Sequence, residues 1–349
     1  MSTKTLIPSN ELAQIKTICI LGWGLIGDVF IRIALLEAIK ERFPESKLTV
    51  VVDPASVVAL ENHPAIDEVF VFSRKKKPVF KYFSTVIKSI LILRRRKFDL
   101  CVNLYSGGAS PKMTRLINAR LRLGFNHTKA LRKANNIHVD HPSLCENWTL
   151  AFGTILAPLG ITNIRQGTSY FCSQESLAFA KQWLSDKPKK MVVLNLGTGA
   201  KEKNWPIHNF VTLAKNIQDR YSYHPVVLTN PGQAHLVEEF ASEAKGDLQY
   251  SVLPLEKFSN VAAIIKTIGL IITGDTSIMH LAFGLKCPTL GIFTYTRPEI
   301  VDPVDCIHIA CFEPGLEVDE CGNKFGTSDL SSELCFSKFE ELVTLLERT

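Results

Sequence analysis

The sequence lacks the long apolar runs that would carry it across a membrane. No stretch approaches the roughly 20 apolar residues of a membrane-spanning helix, and the N-terminal residues contain Lys4 and Glu11 without the apolar core of a signal peptide. Biased tracts are also missing, and a composition of 46% hydrophobic and 21% charged residues is typical of globular proteins. We therefore expect a cytoplasmic protein, with a length of 349 residues that suits about two domains.

Acidic residues are almost missing from one long segment. Residues 74–133 contain 17 lysines and arginines and a single acidic residue, Asp99. In a helix predicted within this segment, Lys81, Lys88 and Arg95 are spaced seven apart and share one face, which we call the basic ridge. A charge run is often only a solvated face, but this one is long enough to favour binding of a phosphorylated acceptor or an anionic lipid. No nucleic-acid-binding module is recognisable, so we expect no nucleic-acid partner.

Residues 16–53 have the pattern of a strand, a glycine-rich loop, a helix and a second strand. Gly22, Gly24 and Gly27 match G-x-G-x-x-G, and Asp53 ends the second strand, as in dinucleotide-binding enzymes. Asp28, however, follows the third glycine, where its charge would repel a bound pyrophosphate. A carboxylate at a helix N-terminus can instead accept a proton from a hydroxyl group, or it can simply cap the helix.

The second half of the chain contains two loops of a kind that binds phosphate. Residues 191–196 form an apolar strand, after which Thr198 and Gly199 offer a hydroxyl and a backbone N–H, with Lys203 in reach. Residues 268–293 read as strand, turn, helix and strand. Hydroxyl groups stand at the start of that helix, and its free N–H groups make it an anion site. An ordinary capped crossover is the alternative interpretation.

Each half repeats this alternation of strands and helices. The expected fold class is α/β, with two Rossmann-like doubly wound domains facing across a cleft and ligands at the carboxyl ends of the strands. The expected segments are an N-terminal acceptor domain, a linker, a C-terminal nucleotide-sugar domain and a terminal helix, at residues 1–165, 166–190, 191–330 and 331–349.

Four motifs in this order resemble glycosyltransferase family 9, the bacterial heptosyltransferases of the lipopolysaccharide inner core. They are LGWGLIGDVF near the start, RLRLGF at 120–125, LGTGAKEKNWP at 196–206 and GDTSIMHLAFGLKCPTLGIF at 274–293. The resemblance extends from about residue 16 to the end of the chain. It implies the GT-B fold and an inverting transfer of heptose from ADP-heptose to a lipid-linked, anionic oligosaccharide. It also implies that the reaction needs no catalytic metal and no cofactor, and that the protein associates peripherally with the inner membrane surface.

The resemblance also assigns roles to residues. It implies that Asp28 is the catalytic base. From the charge pattern we expect the basic ridge to contact the acceptor, and we expect Gly27 beside Asp28 to do so too. It implies donor binding by the residues of the two phosphate loops, with Glu256 as a candidate contact to the adenine: Thr198, Gly199, Lys203, Glu256, Asp275, Thr276, Ser277 and His280. The absence of a D-x-D motif agrees with a reaction that needs no metal.

The sequence departs from the family after the strand that ends at residue 293, where Thr294-Tyr-Thr-Arg297 replaces the usual Gly-Pro-Thr or similar tripeptide. Two alternatives stay open. One is an NAD-dependent oxidoreductase that uses Gly22, Gly24, Gly27 and Asp53. The other is a protein that binds a nucleotide-sugar without catalysis.

Overall fold

The computed structural model of the protein describes residues 6–73, 79–105, 107–200 and 203–348, with the side chains of 79–84 left out. The chain divides into two compact units, Met1–Gln166 and Gly167–Thr349. Each unit contains a six-stranded parallel sheet.

The first unit is built on a sheet of order β3-β2-β1-β4-β5-β6. Its strands are β1 (Thr17–Leu21), β2 (Lys47–Val52), β3 (Glu68–Val71), β4 (Leu100–Asn103), β5 (Leu121–Phe125) and β6 (Ile137–Val139). Its helices are α1 (Ser9–Leu12), α2 (Ile26–Arg42), α3 (Val79–Arg95), α4 (Ser110–Ile117), α5 (Lys129–Ala134) and α6 (Trp148–Gly153), with 3-10 turns at Pro54–Ala59 and Thr154–Leu159. This strand order is that of a dinucleotide-binding domain, in which ligands bind where the order reverses beside β1.

The apolar strands of this sheet are covered on both faces. All four residues of β4 and the last four of β1 are buried, as expected for parallel strands between helical layers. On one face a core that includes Trp23, Met113 and Ile117 packs with Leu93, and Val86 and Ile90 from α3 pack against it. This packing fixes which face of α3 points away from the sheet.

The second unit repeats the same order with its own strands, β12-β11-β10-β7-β8-β9. The strands are β7 (Met191–Asn195), β8 (His224–Leu228), β9 (Ser251–Val252), β10 (Ile271–Gly274), β11 (Thr289–Phe293) and β12 (His308–Phe312). The helices are α7 (Gln174–Trp183), α8 (Ile207–Tyr221), α9 (His235–Ala244), α10 (Phe258–Ile268), α11 (Ser277–Gly284) and α12 (Ser332–Arg348), with 3-10 turns at Pro231–Gln233 and Pro298–Ile300. Phe210, Phe240 and Phe339 anchor a core of fully or nearly fully buried side chains.

Two segments of the second unit have more structure than the sequence indicated. Residues 166–190, for which we expected a linker, contain helix α7, which packs against α10. After β12 an antiparallel hairpin follows, formed by β13 (Pro314–Val318) and β14 (Lys324–Gly326). Gly326 donates its N–H to the carbonyl oxygen of Tyr295 at 2.8 Å, which attaches the hairpin to the loop after β11.

Within these four ranges, no helix is long and apolar enough to cross a membrane.

Candidate active site

Asp28 lies in the first turn of α2, at the carboxyl end of β1. Its Oδ2 accepts a hydrogen bond from the backbone N–H of Leu25 at 2.8 Å, which caps the helix. The helix begins at Ile26, directly after Leu25. The capping role weighed in the sequence analysis is real, but it uses a single carboxylate oxygen. Gly27 lies half-buried in the same turn.

Arg32, which the sequence analysis did not select, lies one helical turn after Asp28. Its side chain is buried, with the residue 8% exposed, and its Nη1 donates to the carbonyl oxygen of Trp23 at 2.6 Å. Its Nε has no hydrogen-bond partner among the described residues. Burial lowers the pKa of Arg32, while the charges of Asp28 and Tyr105 raise it. A buried cation thus stands beside the proposed base.

The side chains of Asp28 and Arg32 determine the shape of the glycine-rich loop at Gly24. Gly24 has φ +155°, and a Cβ there would meet the Cβ of Asp28 at 2.7 Å and Nη1 of Arg32 at 3.2 Å. Its carbonyl oxygen accepts from Ser56 Oγ at 2.8 Å. Only glycine fits this position, because Asp28 and Arg32 occupy the space that a side chain would need.

A cavity of about 170 Å³ opens beside Asp28. It is lined by Asp28, Ile31, Arg32, Leu144, Trp148 and Phe152. The Arg32 guanidinium lies 5.3 Å from the centre of the Phe152 ring. At ~30 Å³ per water molecule the cavity holds about half a dozen waters, which is room for a group no larger than about one sugar ring. Its apolar wall and its two opposite charges, Asp28 and Arg32, suit a ring with both CH and hydroxyl groups.

In the second unit, Asp275 follows β10 and lies close to two other predicted donor-site residues, Lys203 and His280. Its Oδ2 lies 2.5 Å from Nζ of Lys203 and accepts from Thr296 Oγ1 at 2.5 Å. Nε2 of His280 lies 3.9 Å from Oδ1. Burial alone would raise the pKa of Asp275, but the charges of Lys203 and His280 and the hydrogen bonds from Lys203 and Thr296 hold it below its ordinary value. The carboxylate is therefore ionised at neutral pH and fixes the direction of Lys203.

The ends of β7 and β10 are joined by Asn195. Its Nδ2 donates to the Oγ1 atoms of Thr273, at 2.9 Å, and Thr276, at 3.4 Å. Thr276 is the N-cap of α11 and accepts from the N–H of Ile278 at 3.1 Å, and Ser277 is the first residue of that helix. A Cβ on Gly274 would meet Cγ2 of Thr198 at 3.1 Å, so the two phosphate loops pack directly on each other.

Thr198 and Gly199 have different surroundings in their shared loop. The Thr198 hydroxyl is turned inward: it donates to the Ala200 carbonyl oxygen at 2.5 Å and lies 2.7 Å from Oδ1 of Asn204. Gly199 is exposed, with no atom within 4 Å of its Cβ position. Thr198 thus shapes the loop, and the backbone around Gly199 is the part open to a ligand.

Glu256 lies at the carboxyl end of β9 and accepts from Asn260 Nδ2 at 2.9 Å. Because β7 and β8 lie between β9 and β10, these two strands are about 14 Å apart at a strand spacing of ~4.8 Å. That separation is comparable to the length of a nucleoside diphosphate. Glu256, the candidate contact to the adenine, and the candidate contacts to the diphosphate therefore lie at the same edge of the sheet, on strands whose spacing suits a nucleoside diphosphate.

The basic ridge lies on α3. Lys88 and Arg95 are exposed on the side away from the core, and the side chain of Lys81 lies outside the described residues, as does the basic segment 74–77. Among the described residues, no group of three or more His, Cys, Asp or Glu side chains could hold a metal ion.

Three residues of these sites escaped the sequence analysis: Arg32, Asn195 and Thr296. Arg32 had a visible signal, because it is the only charge in the apolar run 29–36 and a buried arginine needs a partner. Thr296 lies in the segment where the sequence departs from the family, so no family motif pointed to it.

Comparison with known proteins shows which proteins the chain is similar to. The model of "Glycosyltransferase family 9 (heptosyltransferase)" matches residues 87–317. The lipopolysaccharide core heptosyltransferase OpsX of Haemophilus influenzae is 21% identical over 81% of this chain and 80% of its own length.

Solved structures show the same fold. A family 9 glycosyl transferase from Veillonella parvula aligns with a TM-score of 0.83 at 20% identity, over 94% of this chain and 97% of its own. The E. coli ADP-heptose lps heptosyltransferase II aligns with a TM-score of 0.76 at 15% identity, over 95% and 100%. The predicted α/β fold of GT-B type, with two Rossmann-like domains, is confirmed.

Proposed function

Because the chain belongs to glycosyltransferase family 9, we propose that it transfers a heptose or a related sugar from ADP-heptose to an acceptor of the lipopolysaccharide inner core. The transfer inverts the anomeric centre and needs no metal. Asp28 carries this proposal, since it is a carboxylate at a helix N-terminus, beside a cavity of sugar size, with one of its oxygens engaged in the cap.

In the proposed reaction Asp28 accepts the proton of an acceptor hydroxyl through Oδ1. The hydroxyl oxygen then forms a bond to the anomeric carbon while the bond from that carbon to the nucleotide diphosphate breaks on the opposite face. A positioned base of this kind accelerates proton transfer by about 10²–10⁴-fold.

The leaving diphosphate gains negative charge as the bond breaks. Lys203, held by Asp275, and the N-terminus of α11 supply positive charge at the place where the diphosphate is proposed to bind. Stabilisation that grows in the transition state increases the rate and not only the affinity. Support for an adenosine diphosphate comes from the fold that this chain shares with the E. coli ADP-heptose lps heptosyltransferase II.

We place the remaining predicted residues in this scheme as contacts. Thr198, Gly199, Thr276, Ser277 and His280 surround the diphosphate, and Glu256 reaches the adenine. On the acceptor side, Gly27 lies beside the base. Lys81, Lys88 and Arg95 contact anionic groups of the lipid-linked acceptor. Such an acceptor is held in a membrane, so the enzyme works in the cytoplasm as a peripheral protein at the inner membrane surface.

A thermal-shift screen with nucleotides tests the donor assignment, because a ligand that binds only the folded state raises the melting temperature with its concentration. ADP and ADP-heptose are expected to stabilise the protein. Stabilisation by NAD with no response to ADP-sugars would instead support the oxidoreductase alternative, which the family match does not favour. A protein that is stabilised by ADP-heptose but forms no product with any core acceptor would support the non-catalytic alternative.

A further inference from the structure

Helix α3 carries large aliphatic side chains on the surface that faces away from its core. Ile87 is 56% exposed, and Leu91 and Ile92 are each 46% exposed. Single exposed aliphatic residues are normal on any protein. Here three of them belong to two successive turns of one helix, and we call them the apolar strip: Ile87 and Leu91 lie one turn apart, and Ile92 lies 100° further around the helix than Leu91.

Basic side chains are interleaved with this strip. At 100° per residue, Ile87, Leu91, Arg95 and Lys88 follow one another around a quarter of the helix surface, and Arg94 and Ile92 flank them. Lys88, Arg94 and Arg95 are all exposed. The opposite side of the helix holds Val86, Ile90 and Leu93, which pack on the core. The outer face of α3 therefore has an apolar strip and cations together, which is the composition of a helix that lies in a membrane interface.

The neighbouring helix α4 also exposes basic and apolar side chains. α4 packs against α3 and exposes Lys112, Arg115 and Leu116. Neither helix contains an acidic residue. The one acidic residue of the basic segment, Asp99, accepts hydrogen bonds from the backbone of Lys16 and Thr17, outside both helices. Neither helix therefore contains an acidic side chain that would offset its own positive charge.

We propose that the outer face of α3, extended by α4, docks the protein onto an anionic phospholipid bilayer. Arg94, Lys112 and Arg115 contact lipid phosphates, while Lys88 and Arg95 stay with the anionic groups of the lipid-linked acceptor. Ile87, Leu91 and Ile92 insert among the acyl chains next to the headgroups. A second copy of the chain is a poorer occupant, because two such faces would bring like charges together. The proposal uses the proposed function only to explain why the enzyme meets a bilayer.

Sedimentation with lipid vesicles tests the docking without any sugar substrate. The intact protein is expected to bind vesicles of phosphatidylglycerol and phosphatidylcholine, to ignore phosphatidylcholine alone, and to dissociate as salt is added. The combined change Ile87→Gln, Leu91→Gln and Ile92→Gln keeps helix propensity and removes the apolar strip. It should weaken binding about tenfold or more.

The matched control places glutamine at three exposed aliphatic positions of the other unit, Val304, Leu316 and Val318, and should bind as the intact protein does. Circular dichroism should give the same melting temperature for all three proteins.

Two results would overturn the docking surface: an intact protein that ignores anionic vesicles, or an α3 variant that binds them unchanged. A third result would also overturn it: if the intact protein were a dimer and the α3 variant a monomer, this face would bind a second copy of the chain and not a bilayer. Because the assay contains neither donor nor acceptor, a failed docking leaves the proposed transfer standing, and a failed transfer leaves the docking standing.

Discussion

The backbone N–H of Leu25 and Oδ2 of Asp28 are joined by a 2.8 Å hydrogen bond. Within the described residues, no hydrogen bond engages Oδ1 of the same carboxylate. One side chain can therefore cap α2 and serve as a base at the same time, with a different oxygen for each role. The two interpretations of Asp28 that the sequence left open are compatible, and experiments must separate them by measuring stability and transfer independently.

Arg32 is expected to act as a positioning residue for the loop that presents Asp28. Arg32→Gln removes the guanidinium that binds the Trp23 carbonyl oxygen, and a buried acceptor that loses its donor costs about 1–3 kcal/mol of the free energy of unfolding. Transfer should fall through kcat, with donor affinity unchanged, because Arg32 lies in the unit without the phosphate loops. Urea unfolding and steady-state kinetics measure the two effects.

Arg42→Gln on the same helix is the matched control for Arg32. Arg42 is exposed in the last turn of α2, and its replacement should change stability by less than about 0.5 kcal/mol. If Arg32→Lys restored stability without restoring kcat, the planar guanidinium itself would be needed for positioning. Full wild-type kcat in Arg32→Gln would remove the positioning role.

Lys203 and His280 are expected to contribute to donor binding. Lys203→Ala and His280→Ala should each raise the Kd for ADP, since a hydrogen bond to a charged group contributes about 1.5–3 kcal/mol. Titration calorimetry with ADP alone measures this. Lys286→Ala is the matched control, because Lys286 also pairs with an aspartate, Asp305, at 2.6 Å and has no proposed ligand. Equal affinity in all three variants would show that the diphosphate binds elsewhere.

Asp275 makes the stability of the second unit depend on pH. Although burial opposes it, the neighbouring cations and hydrogen bonds hold the folded-state pKa below the ordinary value of 3.8. A depressed carboxyl pKa adds stability above the unfolded-state pKa, and this stability is lost as pH falls through the folded-state pKa. Unfolding midpoints in urea from pH 6 down to pH 2 should therefore fall more steeply in the wild type than in Asp275→Asn.

Asp247→Asn provides the comparison for this pH series. The side chain of Asp247 is 75% exposed beside Lys215, so its substitution should leave the wild-type slope unchanged. At neutral pH Asp275→Asn should also be less stable, because Lys203 and His280 lose the carboxylate between them. Parallel pH profiles for wild type and Asp275→Asn would mean that other carboxylates carry the acid sensitivity.

Central strands of both sheets could be anticipated because parallel strands covered on both faces are short apolar runs. Residues 191–196 and 268–273 showed this pattern plainly, and the structure places β7 and β10 there as neighbours. The turn chemistry could also be predicted: Thr276 or Ser277 was expected to cap a helix, and the hydroxyl of Thr276 accepts from the N–H of Ile278. Local patterns predict local structure well when burial and turn residues agree.

Local sequence patterns could not predict the contacts between distant parts of the chain. Thr296 reaches Asp275 across 21 residues and Asn195 reaches Thr273 across 78, and neither partner is visible before the strands are placed side by side. Helix α7 was missed because it begins with a serine and glutamine stretch that also suits a linker; its burial against α10 is what stabilises it. The role of each site residue stays a prediction.

The last prediction separates the two roles of Asp28. In Asp28→Asn the amide oxygen can still accept from the Leu25 N–H, so stability should change little. Asp28→Ala removes the cap as well and should cost about 1 kcal/mol. Transfer should fall by about 10²–10⁴-fold in both variants, because neither side chain can accept the proton.

The two variants thus have different melting temperatures but a similar loss of rate, while ADP affinity stays at the wild-type level or improves slightly. A purely structural aspartate would give the opposite pattern: near wild-type transfer in Asp28→Asn, and a loss in Asp28→Ala that follows its melting temperature. A dinucleotide bound by the glycine-rich loop would give a third pattern, with tighter NAD binding in Asp28→Asn because a repelling charge is gone. Measuring transfer, melting temperature and ADP affinity on the same preparations distinguishes the three, and near wild-type transfer by Asp28→Asn would remove Asp28 as the base.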